Sequence, residues 1–177
     1  RDENKKIKNG EIPEEWEKPE NKSKLAQKDI DADWTKKNGE RHFGYKNHVK
    51  CDADSKLITN YSVTSASVHD SQRCLVFIGQ EDEVLYADSA YSGKPIALAL
   101  PENCKNQICE KGYRNFPLTS EQKMNNRRKS RIRCRIEHIF GFMTGAMHGI
   151  TIRSIGITRA WMKIGITNLV YNFCRYS

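Results

Sequence analysis

The chain has 177 residues, 37% of them hydrophobic, and a mean hydropathy of −0.76, which suits one domain with a single sizeable core. No apolar run reaches the roughly 18 residues of a membrane-spanning helix, so none is expected. The formal net charge of +8 is lodged in the last third: residues 127–177 hold ten basic residues against one acid, Glu137, while residues 1–126 hold 20 basic and 21 acidic residues.

Residues 1–28 are rich in Lys, Glu, Asn and Pro, and Ile7, Ile12, Trp16 and Leu25 follow no period. This stretch reads as a polar linker or lead-in, with residues 29–177 as the folded part. Arg1 to Asn21 is charged throughout, unlike a secretory signal. A chain that opens at Arg1 rather than Met is read as a fragment. From His42 to Lys50 bulky and polar residues alternate, as on a half-exposed strand. Asp52-Ala53-Asp54-Ser55 has turn chemistry, and the β-branched run Leu57 to Thr64 completes an antiparallel hairpin. A helix is expected from Val68-His69-Asp70-Ser71 to about Ile78, with Asp70 or Ser71 suited to its N-cap.

Glu83 to Ala87 is a short apolar run that reads as a buried strand ending at Asp88. Ser92-Gly93-Lys94-Pro95 opens a short helix to about Leu100, and Asn106 to Glu110 suits a further strand. Thr119-Ser120-Glu121-Gln122 resembles a capping box. It opens one long helix to about Met147, with Ile132, Ile136, Ile139, Phe140 and Met143 along one face. A last helix spans about Thr158 to Arg175. The order predicts an α/β fold, a mixed sheet with helices packed against it.

The six cysteines form no C-x-x-C pair, which argues against structural zinc. Without a secretory signal, reduced thiols are the expectation over disulfides. Six basic residues within positions 127–135 point to a polyanion, most plausibly nucleic acid, although a solvated basic helix face is the plain alternative. Asp88 has two readings: a carboxylate at the edge of a buried strand, facing a ligand crevice, or a cap for the next helix. Glu137 lies one turn after Arg133, so an ordinary ion pair is its plain reading. Together, the two carboxylates could chelate two Mg²⁺ or Mn²⁺ ions about 3.5–4 Å apart for phosphodiester chemistry, with arginines beside them holding phosphates. His48 and His69 read as structural hydrogen-bonders, since no zinc spacing occurs.

Four ordered blocks carry a resemblance. They are Asp29 to Thr35 with Phe43-Gly44-Tyr45-Lys46-Asn47-His48; Val63 to Ser71; Tyr86-Ala87-Asp88-Ser89-Ala90-Tyr91; and Arg131 to Gly141 around Glu137. Over residues 29–173 the chain resembles the catalytic domain of bacterial insertion-sequence DDE transposases. The resemblance implies a ribonuclease-H-like fold, two bound Mg²⁺ (or Mn²⁺) ions, cleavage at transposon ends and strand transfer into target DNA. It makes Asp88 and Glu137 catalytic metal ligands, and Arg133 matches the Arg that relatives carry beside the Glu; Arg133 is expected to contact DNA together with Lys46 and the basic run Arg127, Arg128, Lys129, Arg131 and Arg135. It also implies a homo-oligomer acting on DNA in the bacterial cytoplasm, at the nucleoid, and no membrane partner. Relatives carry a Tyr and a Lys near the Glu, where this chain has Ser130 and Thr144. The first catalytic Asp of the family belongs on a strand expected upstream of Arg1; Asp31 and Asp33 match a different block. On that expectation the fragment alone is inactive, and a noncatalytic DNA-binding remnant is the alternative.

Overall fold

The computed structural model describes residues 2–37 and 39–176. The segment expected as a linker carries three short helices, α1 (Asp2–Lys8), α2 (Glu14–Glu17) and α3 (Lys22–Gln27). Periodicity could not reveal them because one side chain, Ile7, supplies their buried contact. Trp16 docks beneath the Lys28 ammonium, 4.2 Å from ring centroid to Nζ, and Lys28 also meets Glu3 at 2.6 Å.

Three antiparallel strands follow: β1 (Asp33–Lys37), β2 (Glu40–Cys51) and β3 (Ile58–Ser65). β2 is shared between two partners. Its residues 40–44 pair with β1, and residues 45–51 pair with β3. The hairpin turn forms as the sequence suggests: the Asp52 carboxylate accepts from the Asp54 and Ser55 amides and the Ser55 hydroxyl. β1 went unread in the sequence because neither of its faces is buried, so no alternation marks it.

Next come α4 (Ser71–Phe77), β4 (Val84–Leu85), α5 (Lys94–Ala99) and β5 (Lys105–Asn106). The parallel hydrogen bonding between β4 and β5 runs beyond those bounds, from Lys105 N–H to Glu83 O, Gln107 N–H to Leu85 O and Cys109 N–H to Ala87 O. That ladder matches the apolar run read as a strand, but the strand is not buried: Val84 is exposed and Leu85 to Ala87 are half-buried, because the ladder has two strands and is covered by short helices. The expected single mixed sheet is instead two sheets, β1-β2-β3 and β4-β5. Among the described residues no strand pairs with the second edge of β2 over residues 45–51, or with the second edge of β4.

The helix expected to run unbroken to Met147 is divided into α6 (Ser120–Arg133) and α7 (Arg135–Gly145). Cys134 stands between them, and its N–H reaches both Ser130 O and Ile132 O as the turn tightens. The Thr119–Gln122 capping box forms in both directions. α8 (Ile157–Tyr176) closes the chain.

Two apolar clusters hold these elements. The first joins Ile58, Ile139, Met143 and Tyr171, so α7 and α8 lie on the β2–β3 hairpin. The second joins Cys74, Ile96 and Ile108 with Leu85, Ala87 and Tyr91, so α4 and α5 cover one face of the β4–β5 ladder. α8 approaches β3 closely enough that a Cβ at Gly165 would collide with the Tyr61 hydroxyl. The outward face of α8 is apolar too: Met162, Ile166, Leu169, Phe173 and Tyr176 are each more than half exposed. All six cysteines are free thiols, and no helix of the described residues is long and apolar enough to cross a membrane.

Candidate nucleic-acid interface and carboxylate site

The pleat of the β4 ladder decides where Asp88 faces. Leu85 and Ala87 point into the second cluster with Ile108. Alternation along an extended chain therefore turns Tyr86 and Asp88 to the opposite face. α6 covers that face. Its Ser130 Oγ lies 3.8 Å from Cys109 Sγ, its Lys129 Nζ donates to Ile108 O at 2.9 Å, and its Asn126 exchanges two hydrogen bonds with the Glu110 backbone. The basic helix is thus anchored on the side of the ladder that carries Asp88. Asp88 itself is exposed and accepts from the Ser89 N–H at 2.6 Å, capping the 3₁₀ turn Ser89–Tyr91. The capping reading of the sequence is therefore what this carboxylate does within the chain.

Glu137 lies in the first turn of α7, where Arg133 Nη1 meets Oε1 at 2.9 Å. With Glu137 more than half exposed, this pair contributes a few tenths of a kcal/mol, ~0.3–0.5. Its consequence is orientation: the carboxylate is held beside the α6–α7 junction. Among the described residues, no three His, Cys, Asp or Glu side chains gather as a metal cage.

The basic residues divide into two sets. Lys129 is tied to Ile108 O, Arg133 to Glu137, and Arg135 lies 3.5 Å from Asp54 across the hairpin turn. Lys46 donates to Val68 O at 2.7 Å and sits 3.1 Å from Asp70. Arg127, Arg128 and Arg131 are exposed, and no described side chain or carbonyl pairs with their guanidinium groups. At spacings of three and four residues they share one outer face of α6.

A polar cluster lies between the two halves of the molecule. Asp70 occupies the N-cap position of α4 without capping it. Its carboxylate turns instead to Lys46 and to His48 Nδ1, 3.6 Å away. His48 is buried and shares a 2.8 Å hydrogen bond with Thr64 Oγ1, as a structural histidine does. Burial holds its pKa below the ordinary value, and Asp70 partly offsets this. Tyr91 is pushed up to about 12, by burial first and then by the charges of Asp70, Cys74 and Asp88. The phenol thus places Asp70 and Asp88 in one electrostatic neighbourhood. His69 binds Ser71 Oγ at 2.8 Å, also a structural role.

Asp29 and Asp31 serve a different end. Asp29 accepts from Tyr45 Oη at 2.7 Å and from the Gly156 N–H, and Asp31 accepts from the Ile157 N–H at 3.0 Å. Both hold the start of α8. Burial and the Asp29 hydrogen bond raise the Tyr45 pKa well above the ordinary range.

One feature has no sequence motif. A cleft of about 370 Å³ opens between the ladder and α6, lined by Tyr86, Gln107, Asn125, Arg128, Lys129 and Ile132. Asn125, Arg128, Lys129 and Ile132 follow the helical spacing of α6, but nothing in the sequence joins them to Tyr86 and Gln107; only the pleat and the docking of α6 bring the two sets together.

Comparison with known proteins places these features in a family. The family model described as transposase DDE domain matches residues 8–173. A transposase for insertion sequence element IS1106 from Neisseria meningitidis serogroup B is 33% identical over 117 residues, covering 64% of this chain. The matched stretch spans 40% of that relative's length. No solved structure matches.

Proposed function

The chain belongs to the transposase DDE domain family, and from that premise we propose that it is the catalytic portion of an enzyme that cuts and joins DNA at the ends of an insertion sequence. The observation that carries this reading is the placement of Asp88 on the face of the β4 ladder that the basic helix α6 covers. Arg127, Arg128 and Arg131 bind backbone phosphates as salt-sensitive contacts. Arg133 orients the Glu137 carboxylate, and the Ser89 amide fixes that of Asp88.

The donor chemistry fits a divalent cation: Asp88 and Glu137 are exposed carboxylates, and Mg²⁺ or Mn²⁺ takes hard oxygen ligands. Bound there, two such ions would neutralise charge on the attacking and leaving oxygens of a phosphodiester displacement. The two sheets support a ribonuclease-H-like reading. Strands with helices packed against them, α7 and α8 on the hairpin and α4, α5 and α6 on the β4–β5 ladder, are the layers such a fold is built from. The exposed stripe of α8 supports self-association: Met162, Ile166, Leu169, Phe173 and Tyr176 follow the four-three spacing by which helices pair.

The test is Mg²⁺-dependent nicking of a plasmid carrying the element's ends. Nicking abolished by Asp88→Ala and by Glu137→Ala, and by EDTA, is expected. Nicking that survives both substitutions overturns the site. DNA binding without nicking under any of these conditions overturns the catalytic reading.

A further inference from the structure

The cleft between the ladder and α6 is chemically unlike a phosphate site. A phosphate site offers donors only, from Arg, Lys or backbone amides. This cleft offers two carboxamides, Gln107 and Asn125, each with a donor and an acceptor, beside the Tyr86 ring and the Ile132 side chain. Lys129, its other cation, is already committed to Ile108 O. No described group hydrogen-bonds the side chains of Gln107, Asn125 or Arg128 or the Tyr86 hydroxyl. These groups converge on one cavity with their hydrogen-bonding capacity unmet within the chain. Donor–acceptor carboxamides match the edge of a nucleobase, and an aromatic ring with an aliphatic neighbour matches its faces.

The shape settles which state of the base fits. Reading a paired base requires an element that protrudes into a groove. Here the surface is concave, so the base must come to the protein, as an unpaired base can. About 370 Å³ lies within the range of small-ligand pockets. Arg128 bridges the two surfaces, since it lines the cleft and also belongs to the exposed face with Arg127 and Arg131.

We propose that this cleft is a subsite for one unpaired nucleobase of the DNA strand whose phosphates lie along α6. The inference rests on the DNA-binding part of the function above and adds a ligand class to it. Gln107 and Asn125 meet the base edge, Tyr86 and Ile132 flank its plane, and Arg128 takes the adjacent phosphate.

The experiment measures affinity of the chain for a fluorescent duplex with a short single-stranded overhang, at low and moderate salt. Each overhang base is replaced in turn by an abasic site. Stacking of one base contributes about a tenfold change in affinity. One abasic position is therefore expected to weaken binding about tenfold. Tyr86→Leu and Asn125→Ala are expected to weaken binding to the intact overhang by a similar factor and to erase the abasic effect. Arg127→Ala is expected to weaken both DNAs equally. Asn125 belongs to neither apolar cluster, so that variant reports even if Tyr86→Leu disturbs the ladder. Salt-sensitive binding that is indifferent to every abasic position overturns the subsite while leaving DNA binding intact. No binding to any of these DNAs at low salt overturns both.

Discussion

The half of the molecule built on the β1–β3 sheet with α7 and α8 differs from the half built on β4, β5 and α4–α6 in where its polar groups go. In the first half they are turned inward and matched. Asn47 and Asn168 exchange reciprocal hydrogen bonds, Asn172 grips both the N–H and the C=O of Ile58, and Tyr171 donates to Lys56 O. In the second half a few matched groups anchor α6, while Tyr86, Gln107, Asn125, Arg127, Arg128 and Arg131 find no partner among the described residues. Buried polar groups must be satisfied internally, so the first pattern marks residues that hold the fold. The second pattern, gathered on one face and one cleft beside Asp88, marks residues available to a ligand. In this chain the two sets are separated in space, and they can be tested separately.

The largest effect should fall at the centre of the first half. Ile139 is completely buried between α7 and the hairpin. Ile139→Ala removes its contacts and leaves a cavity, at a cost of about 2–5 kcal/mol, measured by urea unfolding. A loss below about 1 kcal/mol would move the centre of that half elsewhere.

A smaller effect separates two asparagines. Asn172→Ala removes the side-chain partner of the Ile58 N–H and C=O, and the expected cost is about 1–3 kcal/mol. Asn125→Ala, in the cleft, is expected to change stability by less than about 0.5 kcal/mol while weakening DNA binding. Equal costs at the two positions would erase the distinction between the halves.

Much of this arrangement was legible in the sequence, and the exceptions have physical causes. The hairpin showed itself in the bulky–polar alternation of His42 to Lys50 and in the β-branched run Leu57 to Thr64; in the fold Ser62, Val63 and Thr64 are buried in succession, so alternation would not have marked β3. The β4 ladder showed itself as an apolar run, although the regular strand is two residues long and hydrogen bonds carry the rest. The division at Cys134 left no trace. The stripe from Ile132 to Met143 keeps its period across the junction, and no Gly or Pro marks it. Asp88 stood out as an acid ending an apolar run, and Glu137 as the one acid of a basic stretch. The partners of Lys129, Arg133 and Arg135 were less legible: the i,i+4 pair was visible, but the contacts with Ile108 O and Asp54 depend on tertiary packing. Asp70 shares no sequence period with Lys46 and His48, and the helical spacing of Asn125, Arg128, Lys129 and Ile132 gives no sign of Tyr86 and Gln107, so only folding could assemble these groups.

The smallest expected effect on stability is at Asp88, and its smallness is informative. Its one hydrogen bond within the chain goes to the Ser89 amide at the head of an exposed three-residue turn. Asp88→Asn keeps an acceptor oxygen there while removing the charge, so unfolding free energy should stay within about 0.5 kcal/mol of the unsubstituted protein. Asp88→Ala should fall only slightly lower, because caps on full helices contribute about 1 kcal/mol and this turn is shorter. A loss of 2 kcal/mol or more in Asp88→Asn would mean that the charge holds the second half together. The carboxylate would then belong with Asn172 and Ile139 rather than with the groups left open to a ligand.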